Sequence, residues 1–176
     1  MNKRWFFSPT VTFVLMALTA HAFALSNYRA DLEATRFGSI DINLTGVIEF
    51  NTNNQDQWLF RLSAKGGPIK SVETATGDLF DGQFRPLDYQ RESKVLFIKE
   101  NLEWHFNWAE DYVSGQYKKD KLQHTGITGL QDPVSFQFAM RQALNNGETQ
   151  FSYPFLKHKG RSVVAFEVIG EELLTI

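Results

Sequence analysis

Few polar residues beyond the first two dozen positions are placed to do chemistry. They are His105, His124 and His158, the pair Asp132 and Ser135, and Arg141. Glu103 and His105 lie two apart, on one face of a strand, and could offer two metal ligands. A metal needs several ligands converging, and the plainer reading is a polar outer face opposite Trp104 and Trp108. His124 and His158 sit in polar, turn-like surroundings, so no metal and no cofactor are expected. Ser135 follows Asp132 by three at a helix start, a spacing that suits capping better than nucleophile activation. There is no Gly-x-Ser-x-Gly elbow, no glycine-rich phosphate loop, no HExxH and no EF-hand pattern. No catalytic residue is expected. An unrecognised hydrolase, carried by Ser135 and His105, is the third reading. Arg141 stands on an otherwise apolar helix. It could hold an anionic head group or carboxylate bidentately, pair with Asp41, Glu49 or Glu103, or reach solvent along its stem.

The aromatic residues form the other candidate set, at 14% of the chain. Trp58, Phe60, Trp104, Trp108 and Phe138, with Arg141, could line a cavity between a sheet and a helix. The same rings could equally be solid core.

Placing these side chains requires a sheet and one helix. Leu130–Gly147 carries the helix signature: Asp132 to cap, Pro133 for the first turn, and Asn145-Asn146-Gly147 to stop. Its apolar positions cover more than half its circumference, which predicts a helix buried on most sides. The rest reads as strands. Ile40 to Phe50 alternates with a period of two, and Trp58 to Ala64 resumes it after a polar turn, predicting a hairpin. Gly77-Asp78, Asp81-Gly82 and Gln90–Ser93 read as turns. Val95-Leu96-Phe97-Ile98, apolar on both parities, reads as a strand covered on both sides. The fold class expected is α+β, predominantly β: a single curved antiparallel meander, an open half barrel, with one helix on its concave face.

Lys3-Arg4, the apolar run Val11–Leu18 and Ala22-Phe23-Ala24 have the form of a secretory signal peptide, so residues 1–24 are expected to be cleaved, leaving one domain over 25–176. The apolar run is too short to span roughly 30 Å of hydrocarbon. Cleavage removes Lys3 and Arg4 and no acidic residue, taking the formal net charge from −2 to −4. That balance, with basic residues scattered along the chain, argues against nucleic acid or anionic lipid as a partner. The absence of cysteine excludes disulfides, thiol catalysis and a lipid-modified cysteine, so a lipoprotein is excluded.

Tyr28 and Ala30, Trp58, Pro86 with Tyr89, and Phe106-Asn107-Trp108 form a wider pattern. Asp132, Ser135, Arg141 and Gly147 across the helix, and the closing Gly170–Thr175, extend it. Together these residues resemble the exported bacterial family called domain of unknown function 3108. The likeness covers the whole mature chain and is most specific from Asp132 to Gly147. It implies a periplasmic protein with a curved antiparallel sheet and a helix, and it implies no established activity. In the family a threonine like Thr175 is usually followed by Pro-x-Gly and further strands, whereas this sequence stops at Ile176. Either the member is short or the sequence is truncated, which would leave a sheet edge open near 161–169.

These readings converge on a non-enzymatic periplasmic binding or carrier module for an apolar or amphipathic ligand in envelope maintenance. Its partner would be a lipid or other hydrophobic ligand, or an envelope protein. Nucleic acid and stable membrane insertion after signal cleavage are not expected. The alternative is a structural or protein-interaction module with a solid core.

Overall fold

The structure is a computed structural model that describes residues 27–36, 42–53 and 56–170. The signal peptide expected at 1–24, the head of the second strand pattern at Ile40 and Asp41, and the chain beyond Gly170 lie outside the described residues. Eight strands follow one another: β1 (Tyr28–Arg36), β2 (Ile42–Thr52), β3 (Gln57–Gly66), β4 (Ile69–Phe80), β5 (Gln83–Val95), β6 (Ile98–Asn107), β7 (Tyr112–Tyr117) and β8 (Asp120–Thr125). Each pairs antiparallel with the next, giving an open meander in the order β1 to β8 that is not closed into a barrel. Helix α1 (Ser135–Asn145) then packs on the concave face, and β9 (Gln150–Lys157) and β10 (Gly160–Glu167) form a separate hairpin. No helix among the described residues is long and apolar enough to cross a membrane.

One row of side chains explains the packing. Tyr28, Phe50, Phe60, Ala75, Tyr89, Trp104, Gly115 and Leu122 are successive register partners across all eight strands. Side chains alternate faces along a strand, so this row and every second residue from it belong to the concave face. Phe50, Phe60, Ala75, Tyr89 and Trp104 are all buried there. Burying each large ring contributes about 1.5–3 kcal/mol, enough to offset the backbone ordering of about one or two residues.

Two glycines let tryptophans lie flat on the sheet. Gly77 is the register partner of Trp58, and Gly115 that of Trp104. A Cβ at either position would overlap the facing indole. This is why Gly77-Asp78 is not the turn its composition predicts: β4 runs straight through it, and the turn is Asp81-Gly82, both at positive φ. Opposite, Pro86 pairs with Gly77 and Asp88 with Thr76, leaving Leu87 as an extra residue. The bulge returns Phe84 and Pro86 to the same face as Tyr89.

Two further expectations are corrected. Gln90–Ser93 is strand, because β4 and β6 hydrogen-bond it on both sides. Val95–Ile98 is not a covered strand but the tip of the β5–β6 hairpin, open to solvent. Periodicity reports an apolar run, not what covers it.

The regular helix starts at Ser135, and Asp132 organises the turn that leads into it. Asp132 Oδ1 accepts the Val134 N–H at 2.6 Å and the Ser135 N–H at 2.8 Å, while the Asp132 N–H donates to Ser135 Oγ at 3.0 Å. This reciprocal cap puts Pro133 in that turn, where a missing N–H costs nothing. Gly147 at φ +81° ends it, and the Glu148 N–H closes back on the Ala143 carbonyl. The helix is less enclosed than its composition predicts. Phe138 faces the sheet and Phe136 meets Phe155 and Phe166 of the hairpin, but Leu144 and Arg141 are exposed.

Candidate functional site

The aromatic candidates separate into groups. The Phe138 ring lies 4.7 Å from Phe50, 5.4 Å from Phe84, 5.5 Å from Trp58 and 5.7 Å from Phe60, centroid to centroid. Ring packs on ring, so the space beneath the helix centre is occupied by side chains. Trp58 and Trp104 are buried in the same core, Trp104 beside His124 at 5.7 Å. Trp108 stands apart, half-buried, stacked on Phe106 and donating from Nε1 to the Pro86 carbonyl at 2.7 Å. Arg141 is exposed, its guanidinium 5.9 Å over the Tyr28 ring. The structure does not bring Arg141 to the other five.

A second set gathers next to this core, two residues further along each strand. Glu73 and Arg91 face each other across β4 and β5, between Leu62 on β3 and Leu102 on β6. Tyr89 is two residues from Arg91, and the helix cap lowers Asp132 towards them. Asp132 is fully buried, and burial pushes its carboxyl up to about 6 against the opposing hydrogen bonds from Ser135 and Val134, with Glu73 adding to the rise. Burial likewise raises Glu73, with Arg91 pulling the other way, and raises the Tyr89 phenol. Among the described residues Asp132 Oδ2, Tyr89 Oη and Arg91 Nε make no hydrogen bond of good geometry, although Arg91 acts on Tyr89 as a nearby donor as well as by charge. Gln131 Oε1 and Trp104 Nε1 are orphaned as well.

Leaving a buried polar atom unpaired costs about 1–3 kcal/mol, and native proteins leave few. Tyr89, Arg91 and Asp132 gather beside Glu73, whereas the Gln131 side chain reaches the Phe84 carbonyl further along β5. The trio supplies an acceptor in Asp132, a donor in Arg91 and both in Tyr89. Beyond it the concave face continues as a row of small residues, Gly46, Ala64, Ser71 and Ser93, none of them fully buried. Past that row it turns apolar again at Leu44, Ile69, Val95 and Ile98. A polar niche thus opens onto a shallow apolar trough.

The model of the family described as Protein of unknown function (DUF3108) matches residues 27–176. The chain belongs to this family. No curated protein and no solved structure matches it.

On the outer face this DUF3108 chain holds its nearest approach to hydrolytic chemistry. His105 Nδ1 and Asp88 Oδ1 are 2.6 Å apart, and Ser114 is the register partner of His105 on β7. A depression of about 440 Å³ lies there, lined by Glu103, His105, Ser114 and Gln116 among others. Ser114 makes no hydrogen bond to His105, and the His105 and Asp88 side chains are 63% and 58% exposed. Ser135, the serine singled out by spacing, lies across the sheet from His105 with its hydroxyl engaged by the Asp132 N–H. The two do not meet. His158 stacks on Tyr117 at 4.5 Å. Among the described residues no three metal-binding side chains cluster.

Glu73, Arg91 and Gln131 carry no motif and escape a reading by spacing. One signal was available in the DUF3108 sequence: Glu73 and Arg91 are charged residues in strands whose same-face neighbours are apolar or small.

Proposed function

We propose that this chain is a non-enzymatic periplasmic binding or carrier module for an amphipathic ligand in envelope maintenance. The observation that carries the reading is the orphaned, buried trio of Tyr89 Oη, Arg91 Nε and Asp132 Oδ2 at the head of an apolar trough. The polar head of a ligand would satisfy the trio, and its apolar part would lie over Gly46, Ala64 and Ser71, where no bulky side chain stands in the way. The aromatic rings beneath Phe138 act as the rigid wall rather than the binding surface, since they already fill one another's space. Export is supported by the form of residues 1–24.

Native mass spectrometry of the protein purified from periplasm, with solvent extraction of what it carries, tests this. An adduct of amphiphile mass, lost in Arg91→Leu and in Asp132→Ala, is the expected result. A clean apo mass together with no lipid uptake from added vesicles would sink the reading.

The aromatic packing around Phe138 favours a second reading, a solid-core module that binds another envelope protein. Crosslinking in intact cells would then capture one dominant protein partner instead of lipid. The hydrolase reading transfers to Asp88, His105 and Ser114. It requires an activity, found by substrate screening, that Ser114→Ala and His105→Ala both abolish.

A further inference from the structure

The β5–β6 hairpin ends in an unusual turn. Val95, Leu96, Phe97 and Ile98 are 46%, 57%, 95% and 62% exposed, four consecutive large apolar residues in solvent. Leu96 holds φ +56°, a region that an L side chain enters at a cost and that two-residue turns usually fill with Asn, Asp or Gly. The corresponding turn between β4 and β5 obeys that preference with Asp81-Gly82. Among the described residues nothing covers Leu96 or Phe97 at the β5–β6 tip. A local rule broken without internal compensation points to an external contact.

The charges beside the tip indicate its nature. Lys65, Lys70, Lys94 and Lys99 are successive register partners on β3 to β6, one residue back from the apolar row of Ile69, Val95 and Ile98. Like charges set directly opposite one another are unfavourable in a sheet, so the row is a second feature the isolated fold does not need. The next turn at this end of the sheet carries Lys118, Lys119 and Lys121. Four acidic residues of the described chain approach: Asp120 lies within that turn, Glu33 ends the row through Thr45, Glu92 stands one row further in, and Glu100 is engaged by Tyr117 and Lys118. At the opposite end the turns bear Asp56, Asp81, Glu110 and Asp111. The turns of the sheet are therefore polarised, with Lys65, Lys70, Lys94, Lys99, Lys118, Lys119 and Lys121 gathered at one end although they are scattered in sequence. Overall net charge says little about a chain built this way.

We propose that the β5–β6 tip is a peripheral membrane-docking element, with Leu96 and Phe97 entering the headgroup region of an anionic phospholipid bilayer and the lysine row lying over its surface. A protruding apolar tip backed by cations matches an interface that is apolar below and anionic above. Val95 and Ile98 border both the trough and the tip, but Leu96, Phe97 and the lysine row are separate from Tyr89, Arg91 and Asp132, so either site can fail alone.

The chain has no cysteine, so Phe97→Cys offers a single labelling position for an environment-sensitive fluorophore, with Gln83→Cys at the far end as control. Vesicles of phosphatidylcholine alone and of equal parts phosphatidylcholine and phosphatidylglycerol serve as probes. The Phe97 label shifts blue with the anionic vesicles only, the Gln83 label does not, and high salt reverses the shift. In flotation with the anionic vesicles, Lys94→Gln combined with Lys99→Gln weakens binding of the unlabelled protein about thirtyfold. Phe97→Asp abolishes it while leaving the thermal midpoint unchanged, because the residue is exposed. Equal response to both vesicle types, response to neither, or full binding by Phe97→Asp overturns the proposal. So does a tip-dependent dimer that forms equally well without lipid, which would assign the tip to a second copy of the chain.

Discussion

Two neighbouring regions of one concave face are built on opposite terms. Around Phe138, four rings close on a fifth at 4.7–5.7 Å, and their one polar atom, Trp58 Nε1, donates to the Asp78 carbonyl. Around Asp132, a few residues earlier in the chain, Tyr89 and Arg91 bring polar atoms into the interior and leave them unpaired. The first region is organised for stability and the second gives stability up. Such a concession at one place in an otherwise satisfied fold is the usual mark of a functional site, because the compensating contact comes from outside.

Phe138→Ala breaks the comparison most severely. It leaves a ring-sized cavity beneath the helix and should cost about 3–5 kcal/mol, read as a fall in the denaturant midpoint. A loss below about 1 kcal/mol would mean that the helix is not anchored through this ring.

The next effect separates the regions by pH. Asp132 binds its proton more tightly folded than unfolded, so the folded state holds more protons between about pH 4 and 6. Its contribution to stability is complete below about pH 4 and falls as pH rises through about 6. Two pH units of displacement correspond to about 3 kcal/mol. Asp132→Asn keeps the helix cap and removes the titration, so the decline across that window should flatten. Identical pH slopes in wild type and variant would show that Asp132 is not the group responsible. Phe138→Ala should lower the whole curve without altering its slope.

The smallest effect is the most discriminating. Tyr89→Phe deletes an orphaned hydroxyl, so stability should hold or rise by up to about 1 kcal/mol. The same change should weaken capture of the amphiphile. A clear destabilisation would mean that the hydroxyl already has a partner within the protein.

The core was more legible in the sequence than the niche, for physical reasons. Alternation along one strand revealed the β2–β3 hairpin, and Asp132-Pro133 with Asn146-Gly147 bracketed the helix, because these signals are local. Gly77 read as a turn since propensity has no knowledge of an indole lying across it. Arg141 drew attention as a cation on an apolar helix, but it points outward over Tyr28, while Arg91 is set opposite Glu73 by register. The lysine row is likewise a property of register: its members are scattered along the chain and meet only when four strands align.

The meander itself has a consequence for how the molecule assembles. Every strand after β1 pairs with its immediate predecessor, so each pairing closes a short loop at small entropic cost, and the sheet can zip from one end in chain order. The aromatic row has no cover until residues 130–145 arrive, and contacts such as Gln131 to the Phe84 carbonyl, 47 positions apart, form only then. Until residues 130–145 have been added, a growing chain has nothing to lay over the ring-lined face of its sheet. In that interval it is a natural client for a holding chaperone, and it is most exposed to misassociation with its own kind.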